Sequence, residues 1–518
     1  MYAEFLKGCF EMQNDHWFWA TIGLLLLYSA GILYFVVRGA RRTKSLSDFA
    51  VGSAGFSPVV VGLSLATATT SAATFIINPG FIALYGWSAF LAFAVAMPAG
   101  LFLSQLFLTK SFRRHGINVK ALTIAQWIGA RYGSPRFALF FAVLSLLLLS
   151  FIVLICVGLT KILSNALGFS EWGVLVGMVV FVFGYMMFGG ANSMVYTNTI
   201  QACVKLLVAV LLIFSGHAHF AEGVSGFWAK LSAIDPALAV FPNPNSPLYR
   251  DFFEVVVCNF VVGIAIVCQP HLITKSLLLR DDRDVNRYLA VGIGAQMIFF
   301  LVVFTGFYAR LMFPDLLAAD GKAMKMDGIM SAYVLREFSV WTGLVVILGL
   351  LSAGQSTLEA LIQSLSTTVT SDILKPLLGQ HIRHEQQYIF INKLVIVGLA
   401  SVAIWLSWQQ LQHPNLSVGI FAQNGVYAFF STAFVPILFG IFLKNTPTIA
   451  VVAAALTALA VHFGSYYGGF SSYLQGTVRN PAVAATYAIL SAVAVGLVLH
   501  LVLAKKNAPA SAQHPPST

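Results

Sequence analysis

Apolar residues in this chain come as runs rather than as stripes. Stretches of about 18 or more apolar residues, long enough to cross a bilayer as a helix, recur from "WFWATIGLLLLYSAGILYFVV" to "AVAATYAILSAVAVGLVLHLVL". They predict about 13 spans, centred near residues 27, 67, 96, 151, 181, 205, 264, 300, 357, 399, 430, 457 and 492. The expected class is an all-α polytopic membrane protein. The first run is too long for a signal-peptide core and has no small-residue cleavage site, so it reads as a retained span.

The places that interrupt this pattern carry the chemistry. Span 2, "VVVGLSLATATTSAATFIINPGF", places Thr67, Thr69, Thr70, Ser71 and Thr74 at mid-span, ahead of Pro79-Gly80. Such a stretch suits a helix that unwinds and exposes carbonyls, or equally a hydroxyl-rich helix contact. Span 7, "FFEVVVCNFVVGIAIVCQPHLITKSLLL", is interrupted by Gln269-Pro270-His271. The two breaks lie five spans apart, which points to an inverted repeat of spans 2–6 and 7–11. Paired broken helices mark the midplane site of a transporter rather than the continuous lining of a channel.

Span 9 continues into "LSAGQSTLEALIQSLSTTVTSD", residues 351–372, with nine serines and threonines, two glutamines and Glu359. Helical spacing sorts Ser352, Ser356, Glu359, Gln363 and Thr370 onto one stripe and Leu358, Leu361, Ile362, Leu365 and Val369 onto the other side. The polar flank therefore faces protein or a water-filled path. The carbonyl of Ala353 and the hydroxyls of Ser356 and Thr357 converge, because i and i+3 or i+4 share a face. Neutral oxygens of this kind suit a monovalent cation, whereas divalent ions recruit carboxylates. Ser364 and the hydroxyls that follow it are the expected inward pathway.

Composition narrows the class. With 58% hydrophobic and 9% charged residues, the chain lies outside the globular range. Of its 30 Lys and Arg residues, 20 fall in one set of loops and eight in the opposite set, which puts the N-terminus outside and the C-terminus in the cytoplasm. The net charge of +11 is thus a topology signal, and no basic domain supports nucleic-acid binding. Residues 1–504 read as one transmembrane transporter domain with its repeat core at about 56–442, and 505–518 as a disordered cytoplasmic tail. The location expected is the plasma membrane, or the inner membrane of a bacterium. Four of the five cysteines sit in apolar runs without metal-like spacing and read as small hydrophobes. No catalytic constellation is present, so no enzyme is expected.

On "SAATFIINPG", "FGGANSMVYTNTIQ", "CQPHLITKSLLLRD", "SAGQSTLEALIQSLSTTVTSDI" and "AFFSTAFVPILFGIF", the chain resembles the sodium:solute symporter family. The resemblance implies the LeuT-type fold with a 5+5 inverted repeat. It maps the family's sodium site onto the carbonyls of Thr67, Thr70 and Ala353 and the hydroxyls of Ser356 and Thr357. It puts substrate positions near Ser71, Ala72, Thr74, Val262, Ile266 and Pro270. The family's "YTD" is "YTN" here, with Asn198, so one sodium rather than two is expected. Thr69 stands where proline carriers have a carboxylate, which argues against a cationic amine; Phe93, Val261 and Ile264 argue against a sugar.

Two ionisable residues inside spans, Lys205 and Glu359, are functional candidates by default. Three roles are open to Lys205: attracting a substrate carboxylate, acting as a tethered cation in place of sodium, or pairing with an unidentified acid. Glu359 reads as a hydrogen-bonded pathway residue or a protonation switch, and Asn198 joins it in the coupling path. The expectation is a sodium-coupled symporter that imports a small organic solute, a monocarboxylate or vitamin-like acid, by alternating access. The alternative is a proton-coupled or sodium-independent carrier of an organic acid or neutral amino acid. Sodium is the co-transported ion, no organic cofactor is expected, and the partners are solute, sodium and lipid.

Overall fold

Helices that pack through small residues and break at defined points build the scaffold. The structure, a computed structural model, describes residues 2–52, 55–317, 321, 323–378, 384–413, 417–443 and 445–506. In chain order the helices that matter here are α1 (Tyr2–Ala40), α2 (Pro58–Thr69), α3 (Asn78–Phe90), α4 (Met97–Asn118), α5 (Leu149–Leu167), α6 (Glu171–Ser215), α7 (Asn259–Ile266) and α8 (Pro270–Ile273). They are followed by α9 (Asp284–Leu301), α10 (Val340–Thr368), α11 (Glu385–Gln412), α12 (Val418–Phe442), α13 (Thr448–Gly468) and α14 (Pro481–Lys506). Apart from helices, the described residues form only two isolated β-bridges. Helix α14 runs two residues into the segment expected as a tail; residues 507–518 lie outside the described residues.

Among the described residues, ten helical stretches are long and apolar enough to cross a membrane, or 11 with the bent pair Phe253–Ile266 and Pro270–Leu278, whose axes differ by 58°. The expected count of 13 is not confirmed as such. Its second centre falls on the 12-residue α2, and its fifth and sixth fall within the single helical trace of α6. That trace is kinked at Gly190 (φ 55°, ψ −151°), as α3 is at Gly86 (φ 64°, ψ −138°), a conformation glycine adopts without steric penalty.

The repeat shows in the packing. Helix α2 lies against α9, and α7 lies against α4, so each broken span packs on the span that follows the other. Both contacts are backbone-close. A Cβ on Gly62 of α2 would sit 2.7 Å from the Tyr288 carbonyl oxygen of α9, and one on Gly263 of α7 would sit 2.1 Å from that of Met97. Small residues permit this approach between helices in lipid. Gly263→Ala therefore overpacks a backbone contact and is expected to cost about 1–3 kcal/mol of stability. Thermal melting of the detergent-solubilised protein measures it, and an unchanged midpoint would contradict the contact.

Burial sets the layers. The most apolar stretch of the α10 span is 89% buried inside the protein, against 17% in α1 and 22% in α11. The polar-rich helix is thus central, and its hydroxyls meet protein instead of lipid. Cys156, Cys258 and Cys268 are buried as small hydrophobes, while Cys203 lies exposed on the flank of α6.

Candidate solute and cation site

Unwinding of span 2 creates the site. Helix α2 ends at Thr69, and Thr70 is non-helical (φ −102°, ψ 91°) before a π-helical turn at Ala73–Ile77 leads into α3. The break therefore falls among the hydroxyl residues, not at Pro79-Gly80: the backbone is helical without interruption from Ala72 through the π-helical turn into α3, with Asn78 N–H bonded to Ala73 O. In span 7, α7 ends at Ile266 and Pro270 opens α8, which leaves Gln269 extended between them.

The two breaks flank a cavity of about 90 Å³. A space of this size takes several waters or one small solute. Its polar lining is Thr69, Ser71, Thr74, Asn78, Gln269 and His271, with Gln423 and Tyr427 from α12; Phe93, Phe151, Ile266 and Phe300 supply apolar walls. Gln269 and His271 are almost fully buried, yet Gln269 Oε1 and both ring nitrogens of His271 have no hydrogen-bond partner among the described residues. Buried polar atoms are rarely left so, and a ligand or water is their usual partner.

Beside this cavity an oxygen cluster joins α2 to α10. Ser356 Oγ and Thr357 Oγ1 each donate to the Thr67 carbonyl at 3.2 Å. Ser356 Oγ also lies 3.2 Å from the Ala353 carbonyl, and Thr357 Oγ1 lies 3.2 Å from that of Ala68. The Lys205 ammonium, fully buried on α6, donates to the Thr70 carbonyl at 2.5 Å and to Thr67 O and Thr70 Oγ1 at 3.2 Å. Its Nζ stands 5.3 Å from the Phe75 ring centroid and 4.8 Å from that of Phe299. All five residues expected at the cation site thus meet in space.

Expected substrate positions divide. Ser71, Thr74 and Ile266 line the cavity. Ala72, Val262 and Pro270 are buried without lining it, and Lys205 points instead at the α2 break. Lys205 forms no ion pair with a carboxylate among the described residues. The lining missed by the pattern reading includes Gln269 and His271, noted there only as flanks of a helix break, and Gln423 and Tyr427 of α12.

Glu359 faces α6. Its Oε1 accepts from Tyr185 Oη at 2.6 Å and Gln201 Nε2 at 2.9 Å, and its Oε2 accepts from Thr197 Oγ1 at 2.7 Å. Asn198 Nδ2 donates to Ser64 Oγ at 3.0 Å, and that hydroxyl also receives the Lys275 ammonium at 2.8 Å. Lys275, which hydropathy assigns to a loop, is thus buried against α2.

Side-chain clusters lie towards either end of the helices around the cavity. Towards the N-terminal end of α12, Phe93 on the cavity wall packs at 5.6 Å on Phe81, which borders a vestibule of about 490 Å³. Tyr249 caps both rings at 6.0 and 6.2 Å. Towards the other end, Asp372 accepts from Thr123 Oγ1 and Gln126 Nε2, each at 2.6 Å, and from Ser371 Oγ at 2.7 Å. Along the expected inward pathway, Ser364 and Ser371 are buried, and Thr370 Oγ1 donates to Asn392 Oδ1 at 3.0 Å.

Known proteins resemble this chain over most of its length. The sodium:solute symporter family model matches residues 49–456. The sodium/pantothenate symporter of Escherichia coli (strain K12) is 25% identical over 454 residues, covering 85% of this chain and 89% of that protein. Sodium/proline symporter 2 of Staphylococcus saprophyticus is 21% identical over 471 residues, 88% of each chain. A substrate-bound, outward-open Na+-coupled sialic acid symporter superposes with a TM-score of 0.75, over 93% of this chain and 98% of its own, at 18% identity. That likeness bears out the LeuT-type transporter fold.

Proposed function

The chain belongs to the sodium:solute symporter family, and from that premise we propose that it imports a small organic acid together with sodium by alternating access. The observation that carries this reading is the cavity between two broken spans, lined by Gln269 and His271 with their Oε1 and ring nitrogens unpartnered among the described residues, beside an oxygen cluster. His271 supplies a ring N–H suited to a carboxylate, Gln269 Oε1 an acceptor for a solute hydroxyl or N–H, and the aromatic walls suit an apolar remainder. The relatives' named solutes, pantothenate, proline and sialic acid, each carry a carboxylate, which favours that class.

Sodium in this reading lies between the broken α2 and α10, on oxygens of Thr67, Thr70, Ala353, Ser356 and Thr357. Sodium there and solute in the adjoining cavity favour the same arrangement of α2, so each raises the affinity for the other. In this reading the aromatic cluster of Phe81, Phe93 and Tyr249 lies on the outward side of the cavity and the Asp372 cluster on the inward side. The loop charges support the N-terminus outside.

Uptake into proteoliposomes over a panel of organic acids and neutral amino acids, with and without a sodium gradient, tests the reading. Sodium-stimulated uptake of a carboxylate is expected. His271→Ala removes a donor to a charged group and is expected to raise KM for it about tenfold. Uptake driven only by a proton gradient would overturn the sodium assignment, and an unaltered KM would remove His271 from the solute site.

A further inference from the structure

The Lys205 ammonium stands on the same backbone oxygens that the reading above gives to sodium. It bonds Thr70 O at 2.5 Å and Thr67 O at 3.2 Å, while Thr67 O also accepts from Ser356 and Thr357. One carbonyl with two lone pairs therefore serves three donors, one of them a full positive charge. The rings of Phe75 and Phe299 hold the Lys205 head from the remaining sides, where a cation is attracted to an aromatic face. Two carbonyls at a helix break, the Thr70 hydroxyl and two aromatic faces together satisfy an ammonium without any carboxylate.

We infer that Lys205 is a resident cation of this shell and that sodium must displace it to bind Thr67 and Thr70. Two unit charges on one carbonyl repel strongly in a protein interior, so the two cations exclude each other. Retreat of Lys205 leaves Thr67 O, Thr70 O and both hydroxyls free to turn towards an ion. The residue thereby sets how much sodium the transporter needs. Its aliphatic stem reaches from α6, so the exchange also links α6 to the α2 break. This inference rests on the sodium reading for the place of the ion, yet it is tested without solute.

Sodium binding to the purified full chain is measured with radioactive sodium and by sodium-dependent thermal melting, in wild type and Lys205→Met. Methionine keeps the length and removes the charge. Binding in Lys205→Met about tenfold or more tighter than in wild type is expected, and Ser356→Ala added to Lys205→Met should abolish the gain. Equal affinity in wild type and Lys205→Met would overturn the inference while leaving sodium coupling intact. No sodium binding in wild type but clear binding in Lys205→Met would support it and overturn sodium coupling. Absence of binding in both would overturn both. Should Lys205→Met fail to fold, Lys205→Gln replaces it. Wild type alone also decides: micromolar sodium affinity would sink the idea, since a displaced resident cation predicts weak binding.

Discussion

Ser356→Ala with Thr357→Ala is expected to raise the sodium concentration for half-maximal uptake by about 100-fold or more, so that sodium stimulation disappears from the usable range. Each hydroxyl would contribute a charge-assisted contact of about 1.5–3 kcal/mol, and a factor of ten corresponds to about 1.4 kcal/mol. The double variant isolates this role because Thr67 O retains the Lys205 ammonium as a partner. The α2 break therefore keeps a bond when both α10 hydroxyls are gone, and the melting temperature should move little. Ser356→Thr and Thr357→Ser keep an oxygen at each position and should restore stimulation. Unaltered sodium stimulation in the double alanine variant would remove these hydroxyls from the ion's shell.

That pair of hydroxyls was legible in sequence for a simple reason. Positions 353, 356 and 357 share a helix face, and an apolar span has few other reasons to carry them. The spans were legible too, since hydropathy over about 18 residues is a strong signal. Their number was less so, because a short α2 and a helix kinked at Gly190 blur where one span ends.

The side chains that complete the site were mostly illegible. Lys205 binds backbone carbonyls, and a carbonyl has no residue-type signature; only the fold shows that Thr67 and Thr70 present theirs. Lys275 follows an apolar run beside "RDD" and reads as the start of a loop, but its partner Ser64 lies 211 residues earlier. Gln269 and His271 did give a signal, polar residues flanking a proline in an apolar run. Their lack of partners needed coordinates.

Glu359 was the residue least accounted for by pattern, and its partners give the second expectation. Tyr185 precedes the Gly190 kink of α6, while Thr197 and Gln201 follow it. One carboxylate thus bridges both halves of a kinked helix and fixes them to α10. Glu359→Leu leaves Tyr185 Oη buried without that acceptor and takes one from Gln201 and Thr197, at an expected cost of about 3–5 kcal/mol. Glu359→Gln behaves differently. Its carbonyl oxygen can serve Tyr185 and Gln201 in the place of Oε1, and its amide can donate to the Thr197 hydroxyl, which accepts as readily as it donates. The glutamine variant should therefore melt within about 1.5 kcal/mol of wild type and keep both uptake and its pH profile. Loss of uptake in well-folded Glu359→Gln would instead make Glu359 a proton-exchanging group. A carboxylate that meets three protein donors across a kink is placed to hold α6 together, and the glutamine, with its partners unchanged, separates that duty from the charge.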